Sequence, residues 1–164
     1  MEVMSVKFTL FPLFSPLGPI AEGSANYGIG LAFPGDERLA FEKGVLFPAA
    51  GLNPQRVAEY YEVETLVDEL NYAHNEAARG VVNGTMTDEE ARDWLMTYGL
   101  MSEQKATQRV AFIHKYRSYV VNYNLGKDLV AQYVESQSGS PLRKWRAFET
   151  LLSEPNLPSD IVVR

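Results

Sequence analysis

The side chains able to do chemistry in this sequence are few and far apart. Glu22 stands in the stretch IAEGSANYGIGLAF, directly after a proline-rich approach, LFPLFSPLGPI, and the pattern predicts a helix mouth beside its carboxylate. An acid there is either a reactive group held at the end of an element or a complement to the helix dipole, worth about 0.3–1 kcal/mol. His74 and His114, the only histidines, are forty residues apart on different predicted helices. His74-Asn75-Glu76 begins like a zinc-binding helix, but Ala78 stands where the second histidine would be required, so the bland reading of His74 as a packing residue is preferred. His114 reads as a surface or core-edge residue. Phe112, Tyr116, Tyr119 and Tyr123 fall at i, i+4, i+7 and i+11, which predicts four aromatics on one side of a single helix. Tyrosine hydroxyls so arranged either line a cleft and stabilise an oxyanion or form the edge of a core. Arg117, beside Tyr116, is either a carboxylate clamp or a solvated cation. Trp94 and Trp145 read as packing residues.

Composition narrows the classes. A chain of 164 residues with 46% hydrophobic and 22% charged residues fits one globular domain, residues 1–164, with enough apolar mass for a core. The net charge of −6 argues against a nucleic-acid surface. Cysteine is absent, so thiolate metal sites and disulfides are excluded. The apolar N-terminal stretch is broken by Lys7, Pro12, Pro16, Gly18 and Pro19, and Glu2 replaces the basic start of a signal peptide. These features predict a soluble cytoplasmic protein that does not engage a membrane. No G-x-S-x-G elbow, Walker loop or dinucleotide fingerprint is present.

The elements that must position these residues are helices. Residues 1–20 predict an extended arm, because their prolines forbid continuous helix. Such a dense apolar arm must lie on the helices that follow or on a partner. A first helix is predicted from about Ala21 to Phe33, stopped by Pro34-Gly35; its glycines at 23, 28 and 30 suggest that another backbone comes close. Asp36 is the expected cap of a second helix, with Gly44 weakening its later half. Asn53-Pro54 opens a long amphipathic helix carrying Val57, Tyr60, Tyr61, Leu66, Val67 and Leu70 at three- and four-residue spacing, closed by Asn83-Gly84. Thr87 with Glu90 forms a capping box, Ser102 caps the next helix, Gly126 breaks or kinks the aromatic one, and Ser140-Pro141 starts the last. The prediction is an all-α fold, a bundle of about six helices behind a proline-rich arm.

The stretch AEGSANYG resembles the Glu-Gly-x-Ala-x-Tyr segment of gluzincin-type helical zinc metallopeptidases, in the bacterial family whose histidine motif reads His-Glu-x-x-Pro-Gly-His. The stretch TMTDEEARDWLMTYGLMSEQKATQRVAFI is similar to the paired helices before that family's terminal motif, Pro-Gly-Gln-Ala-x-x-Tyr-x-x-Gly. Here that motif is matched by residues 117–126, where Tyr123 and Gly126 fit and Arg117-Ser118-Tyr119 replaces Pro-Gly-Gln. The resemblance implies that Glu22 is a zinc ligand and that Tyr27 is the segment's tyrosine. It further implies that Tyr119 and Tyr123 line a cleft beside the scissile carbonyl, with Arg117 orienting a substrate carboxylate. The histidine-bearing helix is absent from these residues. The resemblance therefore implies the C-terminal portion of a longer peptidase-like protein, with zinc in the full-length relative but not expected in this chain by itself.

Two functions follow as expectations. In the first, the chain supplies one metal ligand and cleft tyrosines to a peptidase-like site that acts on a peptide-like substrate and is completed by missing N-terminal helices. In the second, it is a non-enzymatic helical interaction or scaffold domain that self-associates through the apolar arm.

Overall fold

A computed structural model describes residues 12–137 and 140–162. It is 81% helical, with six principal helices and no strand among the described residues, so the all-α expectation holds. The six are α1 (Gly18–Ala32), α4 (Val57–Asn83), α5 (Asp88–Tyr98), α6 (Glu103–Tyr116), α7 (Asn122–Ser136) and α8 (Pro141–Ser153), with two short helical pieces, α2 (Asp36–Phe41) and α3 (Phe47–Ala49), between α1 and α4. Their contacts divide the chain into two compact units, one of Met1–Leu31 with Val121–Arg164, the other Ala32–Val120.

In the first unit, most of the expected arm, residues 1–11, lies outside the described residues. Its last part is not extended. Ser15 and Gly18 donate to the carbonyls of Pro12 and Ser15 in successive turns, and α1 begins at Gly18, three residues earlier than expected. Proline is tolerated there because Pro19 sits in the first turn, where a backbone N–H has no helical acceptor. Glu22 is consequently inside α1 rather than at its mouth, and no acid occupies the first turn. The core of this unit joins Ile20 of α1, Val130 and Val134 of α7, Ala147, Phe148 and Leu151 of α8, and Ile161. Gly126 does not break α7, which runs from Asn122 to Ser136 through it. Its use is in packing: a Cβ on Gly126 would collide with the backbone of Pro19, and one on Gly23 with the backbone of Gly126. Of the glycines at 23, 28 and 30, Gly23 thus serves the close backbone approach expected of them. Gly28 instead faces the Phe148 ring, 3.0 Å from where its Cβ would stand, and nothing in the structure explains Gly30.

In the second unit, Gly35 at φ 57 occupies the cap position expected for Asp36, which becomes a first-turn acid instead. A left-handed residue that only glycine adopts cheaply sets the start one position earlier. Gly44 lies in a widened π turn, Glu42–Leu46, between α2 and α3. Pro48 follows, a residue with no N–H for the carbonyl four positions back, and widened turns accommodate such losses. Asn53 caps as expected, its side chain accepting from Gln55 N at 3.0 Å, and a 3₁₀ turn over Pro54–Arg56 leads into α4. Gly84 at φ 70 ends α4, with Gly80 O accepting from Thr85 N at 2.9 Å. The Thr87–Glu90 capping box and the Ser102 cap both form. Helices α4, α5 and α6 pack on one another around Ala77, Ala78, Ala91, Leu95, Ala106, Val110 and Ile113. Arg38, bonded to Glu42 at 3.0 Å, 3.8 Å from Glu64 and stacked over the Tyr61 ring, fastens α2 to the start of α4.

The expected single aromatic helix does not exist. Helix α6 stops at Tyr116 because Arg117 turns to φ 49, and a 3₁₀ segment, Arg117–Val121, separates it from α7.

Candidate functional site

The structure divides the sequence-predicted site residues between the two units. Glu22 and Tyr123 belong to the first, Arg117 and Tyr119 to the second. Within the first unit, Glu22 is half-buried on α1, next to Gly23, and Tyr123 is half-buried on α7, one turn before Gly126. The glycine contact therefore brings together the segments carrying these two side chains, although a hundred residues separate them in sequence. Ser24, the second residue after Glu22, is 2% exposed, and its hydroxyl has no partner.

Tyr27, also on α1, has a different employment. Its hydroxyl donates to Glu135 Oε1 at 2.8 Å, and its ring lies 6.0 Å from that of Phe148. Lys144 of α8 pairs with the same carboxylate. Partial burial and then the bond to Glu135 drive the Tyr27 hydroxyl above its ordinary range, while Lys144 and then Tyr27 hold Glu135 below its own. The triad ties α1 to α7 and α8 and keeps the Tyr27 proton in place. No local signal announces it, because Tyr27 and Glu135 are 108 positions apart.

Within the second unit, Tyr119 is buried, and its ring continues a series from Phe112 through Tyr116 with centroid spacings of 4.4 and 6.3 Å. Arg117 is exposed and adopts φ 49 with ψ −125, a strained conformation for a residue with a Cβ.

The second unit also carries a groove of about 380 Å³ along α5, lined by Thr85, Met86, Glu90, Asp93, Trp94, Thr97 and Tyr98. Trp94 Nε1 donates to Ala73 O at 3.0 Å, and the Trp94 and Tyr98 rings lie 4.3 Å apart. Glu90 is engaged in the capping box, where the Thr87 backbone and hydroxyl hold it below the usual carboxylate range. That leaves Asp93 and the hydroxyls of Thr85, Thr97 and Tyr98, which do not make an acid–base pair. His114 Nε2 sits 2.7 Å from Asp88 Oδ1 on the surface. His74 Nε2 is buried without a partner, and burial, followed by Arg109, holds its ring below the usual imidazole range.

Among the described residues, no three His, Cys, Asp or Glu side chains come together in a group able to hold a metal ion. The described residues therefore do not fit a catalytic zinc centre by themselves, since such a centre takes three protein ligands and an open position. No helix is long and apolar enough to cross a membrane among the described residues. Compared with protein-family models, curated proteins and solved structures, the chain matches none of them.

What the structure does present is a bare apolar helix face. Tyr60, Val63, Leu66 and Val67 of α4 are 50%, 55%, 62% and 49% exposed. Of the six residues whose spacing predicts the amphipathic face, Val57 is buried, Tyr61 and Leu70 are partly buried, and Tyr60, Leu66 and Val67 stand exposed.

Proposed function

We propose that this chain acts as a helical binding module and is not a complete enzyme by itself. The observation that carries the reading is the exposed stripe on α4, where four large apolar side chains within about two turns stay about half exposed or more beside a well-packed three-helix core. A face of this kind, contiguous and rimmed by charge, marks an interaction surface. The test pairs two measurements on the purified chain. An environment-sensitive apolar dye should bind the native chain and lose that binding in the Val63→Ser/Val67→Ser variant. Zinc titration followed by a peptidase assay should give no zinc-dependent hydrolysis. Stoichiometric zinc with hydrolysis would overturn the reading.

A second reading is favoured by one specific observation. The backbone contact between Gly23 and Gly126 sets the Glu-Gly segment against the Tyr-x-x-Gly segment, two of the stretches that carry the metallopeptidase resemblance. In that reading Glu22 is one zinc ligand whose companions lie outside this polypeptide, and a peptide-like substrate would meet Tyr123. A His-Glu-x-x-Pro-Gly-His sequence encoded in the frame upstream of residue 1 is its expected consequence, and an unrelated upstream sequence counts against it.

A further inference from the structure

We infer that the exposed half of α4 is the docking face for an amphipathic helix of a partner protein whose apolar side chains are edged by lysine and arginine. The inference rests on the binding-module reading and adds the chemistry of the partner.

The register of α4 says what shape is missing. Tyr60, Val63, Val67, Leu70, His74, Ala77 and Val81 recur at alternating three- and four-residue steps, a heptad seam along one side of a 27-residue helix. From Ala77 onward the seam is covered by packing with α5 and α6. From Tyr60 to Val67 the same register continues with side chains about half exposed: Tyr60 is 50%, Val63 55% and Val67 49% exposed, with the Phe47 ring edge-on to Tyr60. A seam with this spacing accepts another helix, and the open part spans about two to three turns.

Charge says which helix. Between Val57 and Leu70 the chain carries Glu59, Glu62, Glu64, Asp68 and Glu69 and no basic residue. Arg56 pairs with Glu59, and Arg38 lies near Glu64. Glu62 and Glu69 are four residues before and three after Leu66, so they edge the stripe on its side, and both are exposed. A second copy meeting this face through its own α4 would set five acids against five, a like-charge juxtaposition that interfaces avoid. Basic residues beside the partner's apolar seam would meet Glu62 and Glu69 in favourable register.

The test uses three synthetic peptides of about three heptads. One has leucine at the seam positions and lysine at the flanks, one exchanges the lysines for glutamates, and one scrambles the lysine peptide so that it has no apolar face. Titrated against the full chain, the lysine helix should bind roughly tenfold or more tighter than either control. The Val63→Ser/Val67→Ser variant, with an unchanged thermal midpoint, should lose that binding, and Glu62→Lys/Glu69→Lys should reverse the order of the lysine and glutamate helices. Equal binding of the lysine helix and its scramble would reduce the effect to bulk charge and overturn the proposal. Preferred binding of the glutamate helix, or dimerisation in sedimentation equilibrium abolished by Val63→Ser/Val67→Ser, would overturn the partner chemistry while leaving the module reading standing. Absence of binding in every arm, with a monomeric chain that takes up no apolar dye, would remove both.

Discussion

The two halves of α4 are one helix under two conditions. After Asn75 the helix is embedded: Asn75, Ala77, Ala78 and Gly80 are buried, and Trp94 and Met86 close on it from α5 and the preceding loop. Between Tyr60 and Val67 the same period carries larger apolar side chains, Tyr60, Val63, Leu66 and Val67, that stay about half exposed or more, although Val57 before them is buried. The covered half uses alanine and glycine, which let neighbouring helices approach closely; the open half uses tyrosine, valine and leucine, which project. The small residues belong to a contact already made within the chain. The large ones have the form of a contact offered, and the difference teaches that hydrophobic periodicity specifies a face to be covered without specifying the cover.

The largest expected effect comes from opening the covered half. Leu95 is fully buried against it, and Leu95→Ala should cost about 2–5 kcal/mol in denaturant unfolding by lost burial and a residual cavity. A cost below about 1 kcal/mol would show that this half is no better packed than the other. Next is Gly80→Ala. Helix propensity favours alanine by about 1 kcal/mol, but the new Cβ would stand 2.7 Å from Met86 Cβ. Met86 cannot swing away, because its own N–H is bonded to Gly80 O at 3.1 Å. A net loss of about 1–2 kcal/mol is expected, and a gain would mean that the loop yields.

The third effect is a pH dependence. Burial lowers the folded-state affinity of His74 for a proton below its ordinary value of 6.5. The unfolded chain then takes up a proton that the folded chain resists. The contribution is fully present above pH 6.5 and is lost as pH falls below it. Thermal midpoints measured from pH 7.5 to 5.5 should fall, and His74→Gln should flatten the decline; an unchanged slope would place the titration elsewhere. The smallest effect sharpens the comparison from the other side. Val63→Ser/Val67→Ser removes side chains that contact mainly water and should change stability by no more than about 0.5 kcal/mol per site. A loss of several kcal/mol there would erase the distinction between the halves.

Much of the helix plan is legible in the sequence wherever a cap is satisfied within a few residues of itself. Asn53, Thr87 with Glu90, Ser102 and Gly84 all act where their types and spacing place them. The misplacements share a cause. Pro19 reads as a breaker although it is harmless in a first turn, and Gly35 displaces Asp36 because its left-handed φ turns the chain one position earlier. The aromatic spacing through Tyr123 reads as one helix, but the run is interrupted by Arg117 at positive φ, a conformation that no propensity announces for arginine. For the candidate site, the residue types at Glu22 and Tyr123 are visible early, whereas the glycine contact that sets their segments together, and the Tyr27–Glu135–Lys144 tie, join positions too remote for any local pattern.

The sequence by itself therefore determined an all-helical chain, most of its helix ends, and the existence of an apolar face on α4. Those properties depend on backbone groups and side chains within one or two turns of each other. Only the tertiary structure decided which part of that face is covered, because burial depends on which distant helices arrive. The same structure decided that Gly23 and Gly126 serve a backbone contact, since the absence of a side chain acquires meaning only when another backbone fills the space.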